Sequence, residues 1–180
     1  MPEGGWTQAS VPYLSPRAAG QADAWTAEAA ARGRKGTQRV VLAGEVRASG
    51  EVADLLGLDE AAEVIVRQRV ILLDGEATEL TDTYYPADLA RGTRLAETSK
   101  IPGGAVTLLA ELGYVAHAVR EVVRARMPDV REQELLATGP GAPVLTLTRV
   151  TADARGVPFQ VDVSVFPATA HGLSYEMRVG

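Results

Sequence analysis

Two arginines and a glutamate are the side chains in this sequence best placed to do chemistry. Arg67 and Arg69 stand two apart in the run IVRQRVILL, and Glu79 follows Arg69 by ten positions. In an extended strand alternate side chains share a face, so both guanidiniums point the same way, beside Ile65 and Ile71. Turned inward, they would hold an anionic or carbonyl-bearing molecule by charge-assisted hydrogen bonds of about 1.5–3 kcal/mol each. Glu79 would then orient Arg69 or accept a ligand hydroxyl. A plainer arrangement is an ordinary cross-strand ion pair between Arg67 and Glu79, contributing about 0.2–1 kcal/mol. A second anion contact is available from the open amides of Gly103 and Gly104, at the head of the glycine-led segment IPGGAVTLLAELG.

Composition narrows the chemistry further. The chain has 180 residues, no cysteine and two histidines, His117 and His171. Thiolate zinc sites, cysteine nucleophiles and disulfides are excluded, and a histidine-based metal site or catalytic triad has little to draw on. No metal and no cofactor are expected, and neither is catalysis, since no nucleophile elbow or acid/base dyad is present. A net charge of −5 argues against a broad phosphate-binding surface, so direct DNA contact is not expected of this chain. No apolar stretch reaches the length of a membrane span and the start resembles no signal peptide, so a cytoplasmic location is expected.

The elements that must position these residues follow from spacing and breakers. Residues 1–36 read as an N-terminal arm and short helix, the arm irregular through residue 20 but with Trp6 and Tyr13 able to pack onto the body, and the helix at 21–32; residues 37–180 read as one ligand-binding domain. Strands are expected at 37–48, 115–127 and in the closing LSYEMRV, with short helices at 50–57, 86–92, 104–112 and 129–137. Two long hairpins stand out: IVRQRVILLDGEATELTDTYYP and PVLTLTRVTADARGVPFQVDVSVFP. In the first, a two-residue turn at Asp74-Gly75 sets Leu80 and Asp82 beside the arginines. A three-residue turn ending at Glu76 sets Glu79, Thr81, Thr83 and Tyr85 there instead, because a one-residue slip flips every side chain.

The two hairpins echo each other. Leu55-Leu56 answers to Leu135-Leu136, Arg69 to Arg149, Glu79 to Gln160, and Tyr85-Pro86 to Phe166-Pro167, at offsets of 80 or 81. The one-residue difference falls in the turn, where insertion is cheapest. Two such units join into a mostly antiparallel sheet covered on its outer face by helices, an α+β sandwich with an internal pseudo-repeat. Equivalent residues then meet near the seam, where pockets form.

With VRQR, DGEATELTDTYYP, GGAVTLLAELG, GVPFQVDVSVFP and LSYEM in this order, the chain from about Gly36 to Val179 resembles the UTRA domain, the effector-binding module of HutC-type regulators in the GntR family. The resemblance implies the chorismate-lyase-like fold, a six-stranded antiparallel sheet flanked by helices, a small-molecule effector and a homodimer. In sugar-phosphate-sensing members an R-x-R strand, an acidic residue ten positions later, a Ser-x-Tyr at the middle helix and a late Glu and aromatic line the pocket. Arg67, Arg69 and Glu79 match, which favours the register placing Glu79 beside the arginines. Gly104 and Val106 stand where the Ser and Tyr would be, Gln160 replaces the Glu, and Phe166 lacks the hydroxyl. The implied pocket is less polar, lined by these residues with Thr81, Tyr85, Gly103 and Arg149.

Such regulators carry an N-terminal winged helix, and no helix-turn-helix pattern precedes residue 37. The expectation is an effector-sensing domain of a transcription regulator, either a stand-alone sensor, which Met1 and the acidic charge favour, or a piece of a longer regulator, with DNA reached only through a winged-helix domain or partner. The alternatives are a chorismate-lyase-like enzyme and a ligand-free dimerisation module.

Overall fold

A computed structural model describes residues 5–18 and 20–176. A short strand, β1 (Trp6–Ala9), opens the chain and leads through a 3-10 turn at Val11–Tyr13 to α1 (Ala24–Ala31). There follow β2 (Gly36–Arg47), α2 (Gly50–Leu56), β3 (Glu63–Leu73), β4 (Glu76–Pro86), α3 (Ala87–Ala90) and α4 (Ala105–Glu111). The second half consists of β5 (Ala118–Arg126), α5 (Val130–Leu135), β6 (Val144–Ala152), β7 (Pro158–Pro167) and β8 (His171–Ser174). The expected closing strand is thus only its first part, and its residues beyond 176 lie outside the described segment. The arm is not wholly irregular: β1 pairs in parallel with β8, and Trp6 is buried edge-on against Trp25, ring centres 5.0 Å apart.

The main sheet has six strands in the order β2-β3-β4-β7-β6-β5, every neighbouring pair antiparallel. This order is symmetric. β2, β3 and β4 occupy one half, and β5, β6 and β7 mirror them in the other, joined where Asp82 stands opposite Val163. The repeat read from sequence is therefore a pseudo-twofold of the fold. Each hairpin also carries a β-bulge at the corresponding place, leaving Thr78 in one and Phe159 in the other without an opposite residue.

Local chemistry explains the helix ends. Asp23 accepts from the Thr26 amide at 2.9 Å and Ser49 from Val52, while Asp129 and Glu132 form a reciprocal capping box; caps of this kind contribute about 1 kcal/mol each. Helices cover both faces of the sheet rather than one. On one face, Trp25 and Ala29 of α1 pack on Ile71 and Leu73, and Leu109 of α4 joins Ile65, Tyr85 and Phe159. On the other, α2 packs Val52, Ala53 and Leu56 on Val64, Val150 and Val161, while Leu136, just after α5, meets Val144 and Val165. The single-face expectation failed because each unit's own short helix lies on the side opposite α1 and α4. No helix among the described residues is long and apolar enough to cross a membrane.

Candidate functional site

The cavity begins with the register of the first hairpin. Leu73 pairs with Glu76 around a two-residue turn, with Asp74 and Gly75 both at positive φ. The bulge at Thr78 then adds one residue, so beyond it Ile71 opposes Glu79, Arg69 opposes Thr81, and Arg67 opposes Thr83. The short turn and the Glu79-inward face, posed as alternatives, coexist. Leu80 and Asp82 go to the far face, where Asp82 accepts from Gln68 at 2.9 Å and burial lifts its carboxyl above the usual range.

Across the seam, Thr81 pairs with Ser164 and Thr83 with Asp162, and β6 adds Arg149 opposite Asp162. These inward side chains floor a cavity of about 140 Å³, far more than the roughly 10–15 Å³ that a single water needs. All eleven residues singled out from the sequence line it: Arg67, Arg69, Glu79, Thr81 and Tyr85 from the first hairpin, Arg149, Gln160 and Phe166 from the second, Gly103 and Gly104 from the segment leading into α4, and Val106 from its first turn. Asp162, Ser164 and Gln38 also line it and were not anticipated. Strand alternation from Gln160 would have found the first two. Gln8 and Arg17 of the arm had no signal, since nothing periodic marks that segment, while Tyr13, expected to pack onto the body, also reaches the cavity.

The three arginines have different surroundings. Arg67 is 4% exposed, and its guanidinium donates to main-chain carbonyls of the following loop: to Arg94 at 3.3 Å, to Glu97, and to Ser99 at 2.7 Å. It makes no pair with Glu79, so the cross-strand ion pair is not formed. Arg149 meets the Glu121 carboxylate at 2.5 Å, both side chains 10% exposed, and also donates to Ser10 at 3.0 Å. Burial pushes the Glu121 carboxyl up, but the charge and hydrogen bond of Arg149 outweigh it and hold the group below its ordinary value. Arg69 donates to Gln38 at 3.3 Å and to Thr83 at 2.9 Å, while its Nε is buried without a partner among the described residues. A buried donor in this state costs about 1–3 kcal/mol until an acceptor arrives.

The acidic and hydroxyl groups form two relays. Thr83 and Gln160 both donate to Asp162, each at 2.7 Å. Thr81 donates to Glu79 and lies 2.9 Å from the Ser164 hydroxyl. Glu79 makes no direct bond to Arg69, contrary to the orienting role anticipated. Burial raises its pKa, opposed by Thr81, Ser164 and the charges of Arg69 and Arg149. The expected open amides are only half available, since the Gly104 N–H closes a turn on Ile101 O at 3.0 Å. Among the described residues no group of three or more His, Asp or Glu side chains is arranged to hold a metal ion.

A twofold-symmetric sheet with a polar cavity at its seam, roofed by helix and arm, has the architecture of an α+β small-molecule-binding domain. Residues 31–171 match the profile of the UTRA domain, and the chain belongs to that family. It is 30% identical over 161 residues to an uncharacterized HTH-type transcriptional regulator of Streptomyces coelicolor, covering 87% of this chain and 60% of that protein. It is 27% identical to the HTH-type transcriptional repressor PhnF of Mycolicibacterium smegmatis, over 79% of this chain and 57% of PhnF. The solved effector domain of PhnF superposes with a TM-score of 0.74 at 25% identity, over 86% of this chain and 94% of that one. The chain thus spans well under two thirds of the length of these regulators.

Proposed function

We propose that this domain senses a small-molecule effector for a GntR-type regulator of the HutC group, binding rather than transforming it. The Arg69 guanidinium in the cavity lining carries this reading, because its Nε has no partner among the described residues and its terminal nitrogens meet the neutral oxygens of Gln38 and Thr83. An anionic or carbonyl-bearing effector would take the remaining N–H groups of this guanidinium, while Thr81, Ser164 and Asp162 would bond the effector's hydroxyls. As a homodimer, the domain would act on DNA through a winged-helix head outside the described residues, and signalling would need the effector to distinguish two domain arrangements by about 1–3 kcal/mol. A thermal-shift screen across hexose phosphates, dicarboxylates and hydroxybenzoates tests this. At least one class raises the melting temperature by mass action, and Arg69→Gln removes that shift. A screen with no shift in any class would defeat the proposal.

A further inference from the structure

The profile match begins at residue 31, yet part of the cavity wall lies before it. Gln8, Tyr13 and Arg17 reach the cavity from the arm, and each stretch of the arm is tied to a different element. Gln8 bonds His171 of β8 at 3.2 Å, and Tyr13 donates to Glu28 of α1 at 2.5 Å. The Arg17 amide donates to Thr107 of α4 at 3.0 Å. Ser10 is the most telling. It donates to Glu121 at 3.0 Å and accepts from Arg149 at 3.0 Å, so the arm completes the shell of a cavity arginine.

These ties are unevenly strong. At the β1 end, Trp6 is buried on Trp25 with the Arg32 guanidinium 3.9 Å above its ring. From residue 10 to residue 17 no side chain is buried, and Val11 is 72% exposed. Tyr13 packs half-buried against the cluster of Trp6, Trp25 and Ile71, and hydrogen bonds hold the rest; a segment with one aromatic contact opens at lower free-energy cost than its anchored neighbour.

We propose that residues 10–17 are the movable roof of the effector site, supplying Tyr13 to its wall and Ser10 to the shell of Arg149, so that roof docking and ligand binding are one linked equilibrium. This rests on reading the cavity as the effector site. A ligand enters when the segment lifts and is enclosed when it returns, and its contacts with the docked roof bias the arm toward the closed state.

The absence of cysteine allows a direct test. Ser164→Cys places a thiol on the cavity floor, at a position 4% exposed. Val161→Cys places one on the opposite face of the same strand, at a fully buried position. Adding Ser10→Ala and Tyr13→Phe should speed N-ethylmaleimide labelling at position 164 by about tenfold, the effect of losing hydrogen bonds of ordinary strength, whereas Val150→Ala, in the core cluster remote from the arm, should speed labelling at 161 and leave 164 unchanged. Unchanged labelling at 164 in the arm variant, or acceleration of 164 by Val150→Ala as large as that of 161, would overturn the proposal. Any screened compound that raises the melting temperature should also slow amide hydrogen exchange across residues 10–17; stabilisation without that protection would overturn it as well. If no compound stabilises the protein, the effector reading falls while the labelling result stands by itself.

Discussion

Arg69 and Arg149 occupy equivalent places about the pseudo-twofold, 80 positions apart in sequence, yet among the described residues only Arg149 of the two has a carboxylate partner. Glu121 stands opposite Arg149 on β5, whereas the residue opposite Arg69 on β2 is Val40. One guanidinium is structural and the other is left with an unused donor. Arg69→Gln should therefore keep the fold and abolish the effector-induced thermal shift. Arg149→Gln strands the buried Glu121 carboxylate and should cost about 3 kcal/mol in urea unfolding. Similar stability losses for the two variants would contradict the distinction.

Arg67 holds the loop at residues 94–99 rather than facing the cavity with free donors. Arg67→Met leaves three carbonyls without their donor and should lower stability by about 3 kcal/mol. The loss should be accompanied by faster hydrogen exchange across 94–101, the segment that delivers Ile101, Gly103 and Gly104 to the cavity. Arg67→Lys should recover little, because one ammonium cannot reproduce the planar fork.

The bulge at Thr78 absorbs one residue of β4, and so predicts an asymmetry between two changes in this hairpin. Deleting Ala77 and Thr78 together brings Leu80 and Asp82 opposite Ile71 and Arg69 and turns Glu79 out of the cavity face, and should abolish cooperative thermal unfolding by circular dichroism. Inserting a glycine after Gly75 should cost only about 1 kcal/mol, since loop-closure entropy changes slowly with length. The second hairpin already has the longer turn, Asp153–Val157 between Ala152 and Pro158.

His171 lies buried against Phe166 at 4.4 Å between ring centres, and burial lowers its pKa from 6.5 to about 4. The unfolded chain takes up this proton near pH 6.5 and the folded chain only near pH 4, so this contribution to stability is complete above pH 6.5 and is lost as pH falls toward 4. The loss across that window is about 3 kcal/mol, one pKa unit being worth about 1.4 kcal/mol. Glu79 works in the opposite sense, since its raised folded pKa favours proton uptake on folding. Comparison with His171→Gln isolates the histidine: the variant's urea midpoint should fall less steeply between pH 6.5 and 4 than that of the unsubstituted protein.

Much of this fold was legible because its signals are local. The β-hairpins show period-two alternation with Asp74-Gly75 and GPGAP marking turns, and the 80-residue echo of Arg69 in Arg149 exposed the duplication before any strand was paired. The eleven candidate residues meet because alternation puts Arg67 with Arg69, and the likeness to UTRA domains chose between the two registers. The arm was less legible. Ser10 and Tyr13 act through Arg149, Glu121 and Glu28, partners up to 139 positions away, and no local pattern encodes such distances.

The sequence by itself determined which segments extend, where they turn and that one half repeats the other, because these depend on neighbouring side chains and backbone preferences. Only the tertiary structure decided where the extra residue is absorbed, which face α2 and α5 cover, and that Arg67 ends on carbonyl oxygens while Arg69 keeps a free N–H. Hydrogen-bond register and the reach of a long side chain are settled between strands and loops far apart in the chain, where each donor takes the acceptor that packing brings within about 3 Å.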